Sequence, residues 1–149
     1  MYFWKTKQLA AFIKDAGLTE NIRKNYYLAT SILMLISIYL IALSPPKNYY
    51  AIIVEAVSAL AITIIGIKTT FSANNGEKGS DYVGRMIVLS LPLVIKILVI
   101  GFLFGLIVGV YIGISGNSDV ESWATMILSI SLQAWFFWRL NIHLKCINA

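Results

Sequence analysis

The chain has 149 residues, of which 58% are hydrophobic and only 13% charged, with a net charge of +5 at pH 7. Its mean hydropathy is +0.77, and an average soluble domain carries about 25% charged residues, so the balance excludes an ordinary soluble domain and points to a small integral membrane protein. Positive charge on so apolar a chain is read as orientation in the bilayer and contact with anionic lipid, with no nucleic acid contacted directly.

The first 25 residues are polar and mixed. Within "MYFWKTKQLAAFIKDAG", Tyr2, Leu9, Phe12, Ile13 and Ala16 share one helical face, and Lys7, Lys14 and Asp15 share the other. A basic amphipathic helix beside a span is expected to lie in the cytoplasmic interface, on anionic headgroups, as a collar that anchors the bundle in preference to a docking surface. Gly17 is expected to end it, and Thr19 to cap the helix that follows.

Four apolar runs follow, each long enough at 1.5 Å per residue to cross a hydrocarbon core of about 30 Å. They cover residues 26–44, 49–67, 86–113 and 122–140. The first run ends in "SPPKNYY" with no small-residue cleavage site, so it is expected to be retained. The expected fold class is therefore an all-α integral membrane protein: one membrane domain over residues 1–149, with four transmembrane helices after the interfacial helix.

Lys and Arg collect on the cytoplasmic side of bacterial membrane proteins. Lys5, Lys7, Lys14, Arg23 and Lys24 precede the first run, Lys68, Lys78 and Arg85 lie between the second and the third, and Arg139 and Lys145 belong to the tail, at and beyond the end of the fourth. The opposite connections carry Lys47 alone, so both termini are expected in the cytoplasm of a bacterial inner membrane. Tyr and Trp residues near the span ends read as interfacial belts.

In the second run Glu55 is ionisable, and in the third so is Lys96. Charges at membrane depth cost several kcal/mol and tend to pair. Counting depth from the two faces leaves about 6 Å between them along the normal, so a Glu55–Lys96 salt bridge fixing two spans is expected, with a hydrated path as the functional alternative.

The third run would rise about 42 Å as a straight helix, more than the hydrocarbon core needs. Pro92 is expected to kink it, with Ser90 rebonding the freed carbonyl. Further along, "GFLFGLIVGVYIG" sets Gly101, Gly105, Gly109 and Gly113 four apart. Small residues at that spacing let helices approach closely in lipid, and a contact between identical subunits is preferred here to packing within one. The fourth run adds Ser129, Ser131 and Gln133, read as interhelical hydrogen-bonding groups.

Catalysis finds no constellation. The single His143 is read as a surface or headgroup contact, and Cys146 is the only cysteine, so neither an internal disulfide nor a thiolate zinc site can form within one chain. No cofactor or metal is expected. The cytoplasmic partner or lipid surface is instead expected from Lys5, Lys7, Lys14, Arg23, Lys24, Lys78, Arg85, Arg139, His143 and Lys145.

The segments "SDYVGRMIVLSLPLVIK" and "QAWFFWRLNIHLK", with the four-span layout, resemble small bacterial inner-membrane proteins of phage defence, such as the membrane subunit of the Kiwa system. That resemblance implies a homo-oligomer that detects a membrane event and works with a soluble cytoplasmic effector protein. The expected function is such a non-enzymatic sensor or scaffold. The alternatives are a small ion channel or depolarising pore, and an immunity protein against a pore-forming bacteriocin.

Overall fold

The computed structural model describes residues 4–42, 48–115 and 118–148. Tyr2, the prolines and Lys47 of the first connection, and Gly116 and Asn117 of the last lie outside them. Five α-helices account for most of the rest: α1 (Thr6–Ala16), α2 (Glu20–Ala42), α3 (Tyr49–Ala73), α4 (Tyr82–Ser115) and α5 (Ser118–Asn148), with a single 3₁₀ turn at Gly76–Lys78 and no strand among the described residues.

Local chemistry sets the helix ends. At α1 the chain leaves the helix at Gly17, with φ of 70° and its N–H on the Ile13 carbonyl. Two residues later Thr19 Oγ1 accepts from Ile22 N–H at 3.4 Å, so Thr19 caps α2 as expected. Asn48 does the same for α3, its Oδ1 accepting from Tyr50 N–H at 3.0 Å. The α3–α4 connection turns through Asn75 at φ 66° and Gly76 at φ 56°. It then passes so close to the Asn74 carbonyl that a Cβ on Gly79 could not be accommodated.

Among the described residues the helices stand in the order α3, α5, α4, α2, with α1 laid against α4 and α5. Helices α3 and α5 run parallel, because their cross-links rise in step along both: Asn48 to Ser122, Thr63 to Gln133, Thr69 to Asn141 and Ala73 to Asn148. Gly66 lets the Phe137 ring press onto the α3 backbone in this interface. Helix α4 is the antiparallel return, and its 34 residues make it about 51 Å long.

Two helices, Tyr49–Ala73 and Tyr82–Ile114, are long and apolar enough to cross a membrane, and only 11% of the most apolar window of each is buried inside the molecule. A core helix of a soluble protein would be buried over most of that window. Exposed apolar surface on this scale suits a lipid solvent.

Three expectations need correction here. The apolar face of α1 does not lie open to headgroups: Leu9, Ala10 and Ile13 are at most 2% exposed, packed with Leu89, Leu140 and Leu144. α4 continues as helix through Pro92, with Ser90 Oγ donating to the Ile87 carbonyl at 2.8 Å. The carbonyl that proline leaves without its helical donor is that of Val88, four residues back, so Ser90 serves its neighbour instead. Ser131 likewise turns back on its own helix, to Ile127, whereas Gln133 does bridge helices, Nε2 donating to Thr63 Oγ1 at 2.8 Å and to the Ala59 carbonyl at 3.1 Å.

Candidate functional site

The core cluster and most of the cross-links gather at the end of the bundle where α1, the α3–α4 connection and the α5 C-terminus meet. Helix polarity brings the basic residues there too, since α3 and α5 end, and α2 and α4 begin, on the same side. Three polar assemblies hold this basic end together.

The first centres on Arg85. Its Nη1 donates to Asn74 Oδ1 at 2.9 Å and Asn148 Oδ1 at 2.8 Å, and its Nη2 to Ser80 Oγ at 3.0 Å. Asn148 in turn donates to the Ala73 carbonyl at 3.0 Å. One guanidinium fork thus ties the end of α3, the connection, the start of α4 and the end of α5, using the planar donor geometry that Arg alone offers.

The second centres on Arg23, which pairs with Asp81 at 2.8 Å and with Glu20. Asp81 holds a positive φ of 50°, a conformation uncommon outside glycine, at the start of α4. This pair fixes the foot of α2 to the foot of α4. Arg23 and Arg85 therefore each tie helices together while remaining part-exposed.

In the third, Lys96 Nζ donates to Thr6 Oγ1 at 3.1 Å and stands 5.6 Å from the centre of the Trp4 ring. Arg139 lies 5.8 Å from the Trp138 ring centre. Beside them His143 is 2% exposed, and its Nε2 is buried without a hydrogen-bond partner. Burial, then the positive charges of Arg139, Lys96 and Lys7, lower its pKa from 6.5 to about 4. His143 is therefore a neutral, interior side chain, and the expectation of a surface contact is corrected.

The expected Glu55–Lys96 bridge does not form: the ion pairs seen among the described residues are Arg23–Glu20 and Arg23–Asp81. The reason is topological. Glu55 sits on α3 and Lys96 on α4, and α5 is the helix that packs extensively on both. Lys96 turns to α1 instead.

The glycine stripe lies beyond the core. Among the described residues, a Cβ added at Gly101, Gly105, Gly109 or Gly113 would meet nothing within 4 Å. Near Gly101 and Phe102, a groove of about 700 Å³ opens between α4 and the α3–α5 pair, where Thr63, Thr125, Ser129 and Gln133 are the polar edges of an otherwise apolar lining.

Lys5, Lys7, Lys14, Lys24, Lys78 and Lys145 are exposed around the basic end. Asn74, Asn148 and Thr6 escaped the sequence reading, although each is a polar residue that closes one of these assemblies. Among the described residues no three His, Cys, Asp or Glu side chains converge as metal ligands.

No family model, curated protein or solved structure matches the chain. The resemblance to phage-defence membrane proteins rests on the two quoted segments and the layout alone.

Proposed function

We propose that the chain is a non-enzymatic scaffold or sensor of the bacterial inner membrane, with four spans and both termini in the cytoplasm. On this reading the basic end is its cytoplasmic platform and the glycine-bearing half of α4 its site of self-association. The observation that carries the reading is the contrast along α4: a cross-linked basic end rimmed by exposed lysines, and an uncovered small-residue stripe above it. A partner-binding platform must hold its shape while its rim stays free, and the Arg85 and Arg23 assemblies provide the first condition. The phage-defence context is part of the proposal through the resemblance alone.

Orientation is testable without engineering a probe, because Cys146 is the only cysteine and is exposed. A membrane-impermeant maleimide should label it in inside-out vesicles and leave it unlabelled in spheroplasts. Labelling in spheroplasts would reverse the topology. Native mass spectrometry of the gently solubilised protein, expressed with its neighbouring genes, tests the rest. A closed homo-oligomer carrying a soluble protein is expected; a bare monomer would overturn the scaffold reading and favour the immunity protein, and ion conductance in liposomes would favour the pore.

A further inference from the structure

We infer that the seam between α3 and α5 holds one anionic phospholipid, with an acyl chain in its apolar stretch and the phosphate at its basic mouth. The site rests on the proposed reading of α3 and α5 as spans, and it does not require the chain to be a scaffold.

Two cavities make up the seam. One, of about 420 Å³, lies between Ile62, Ile65 and Gly66 of α3 and Ala134, Phe137 and Trp138 of α5. The other, of about 380 Å³, lies nearer the helix C-termini, between Lys68, Ser72 and Ala73 of α3 and Lys145 of α5. Thr69 and Asn141 line both cavities, so the two are continuous. Where they meet, Asn141 Nδ2 donates to the Thr69 carbonyl at 3.1 Å and ties the helices together.

Polarity changes along this course. Because α3 and α5 run parallel, the apolar stretch lies toward the middle of both helices and the charged mouth toward both C-terminal ends. A ligand that fills the seam must therefore be apolar at one end and anionic at the other. From Ile62 to Ser72 the helix rises about 15 Å, half of a hydrocarbon core of about 30 Å and so the depth of one leaflet. The larger groove beside Gly101 has no cation in its lining, and it lacks this gradient.

Charge selects the headgroup. Neither cavity of the seam has an Asp or Glu in its lining, and Lys68 and Lys145 take part in no ion pair among the described residues. Both lysines are exposed, as is Ser72, whose hydroxyl makes no hydrogen bond among the described residues. Two ammonium groups and a hydroxyl thus line one opening, and an ammonium serves a phosphate as a point charge. Basic pockets between spans on the cytoplasmic side take anionic headgroups in this way. A zwitterionic headgroup would bring a cation of its own against the two lysines. Free phosphate would occupy the mouth alone and leave the apolar stretch unfilled.

Depth agrees with the charge. Trp138 lines the apolar stretch, and indoles settle at the headgroup level of a bilayer.

The full chain, solubilised in a non-ionic detergent, would be titrated with phosphatidylglycerol and separately with phosphatidylcholine of the same acyl chains, and native mass spectrometry would count the lipids retained. One phosphatidylglycerol per chain is expected at concentrations where phosphatidylcholine is not held. Lys68→Gln combined with Lys145→Gln should weaken that binding by about tenfold or more. Lys14→Gln combined with Lys24→Gln removes the same charge outside the seam and should leave it unchanged. Ala134→Phe should weaken it as well, by filling the apolar stretch without altering a charge. All five positions are exposed, so each variant is expected to fold.

Equal retention of the two lipids overturns the site, and so does an equal loss from both lysine pairs, since that would be the diffuse potential of a charged surface. Binding that survives Ala134→Phe also overturns it, because a headgroup alone would then be held. Alkaline extraction of native membranes separates the premise from the site. Release of the chain would overturn the spanning reading and the site together, whereas a chain that stays in the membrane yet retains no phosphatidylglycerol overturns the site alone.

Discussion

At the basic end, Leu9, Leu89, Leu140 and Leu144 are at most 1% exposed, whereas further along α4 a Cβ added at any of four glycines would meet none of the described residues within 4 Å. Both regions are apolar, yet for different reasons. Residues of the basic end are apolar because a neighbouring helix covers them, and α1 does the covering. Those of the far half are apolar while largely uncovered among the described residues, as suits a lipid solvent, where hydrophobicity drives no helix against another. Composition treats the two alike, and packing separates them.

The sharpest way to break this contrast is to truncate one leucine in each region. Leu89→Ala should cost about 3–4 kcal/mol, as for a fully buried leucine that leaves a cavity. Leu103→Ala, at a position 54% exposed, should stay within about 0.5 kcal/mol. Denaturant unfolding in one detergent measures both, and equal losses would mean the far half is packed after all.

Acid should loosen the basic end alone. His143 is neutral in the folded protein down to about pH 4, while in the unfolded chain it takes up a proton near 6.5. Between those values the unfolded state holds more protons, so stability is fully present above pH 6.5 and declines as pH falls to 4, by at most about 3 kcal/mol. His143→Leu should flatten that part of the pH profile. A slope that survives the substitution would assign it to another group.

A smaller effect is expected between α3 and α5. Gln133→Leu removes the bonds to Thr63 and the Ala59 carbonyl, and should cost about 1 kcal/mol, in keeping with interhelical hydrogen bonds in membrane proteins. Ser131→Ala should cost nothing measurable, because that hydroxyl bonds only its own helix. Thermal unfolding of the pair decides.

The least effect on the fold should come from Gly105→Leu combined with Gly109→Leu, since both sites are open. The variant should unfold like the parent and yet lose oligomer mass by native mass spectrometry. An unchanged mass would sink self-association through the stripe.

Helical content and several helix ends were legible in the sequence. Gly17 and Thr19 mark the α1–α2 break by their own backbone chemistry, and α3 starts at the first residue of its apolar run. At the basic end the helices extend beyond the apolar runs: α3 continues past Lys68 to Ala73, α4 begins four residues before Met86, and α5 runs beyond Leu140 to Asn148. Hydropathy marks where the solvent changes, whereas a helix continues as long as its hydrogen bonds are met, and Arg85 supplies the tie that keeps those polar turns in place.

The partners of Lys96 and His143 were not legible. Depth counting for Glu55 and Lys96 assumed that consecutive spans touch, and α5 packs extensively on both of their helices. His143 stands among cations in the sequence, which reads as a wet surface, and only the docking of α1 turns that neighbourhood into an interior. Asn74, Arg85 and Asn148 are likewise brought together by the parallel course of α3 and α5, a relation no local pattern encodes.

The order of synthesis acquires a consequence from α1. It leaves the ribosome before α2 to α5, yet its buried face, Leu9, Ala10 and Ile13, packs with Leu140 and Leu144 of α5, which is made after the other four. Until α5 is made that face has only the α4 part of its packing, around Leu89, and the rest must wait, with the lipid surface as its nearest apolar refuge. Docking of α1 thus closes the assembly, and a truncation before α5 should leave the N-terminus open to protease while the complete chain protects it.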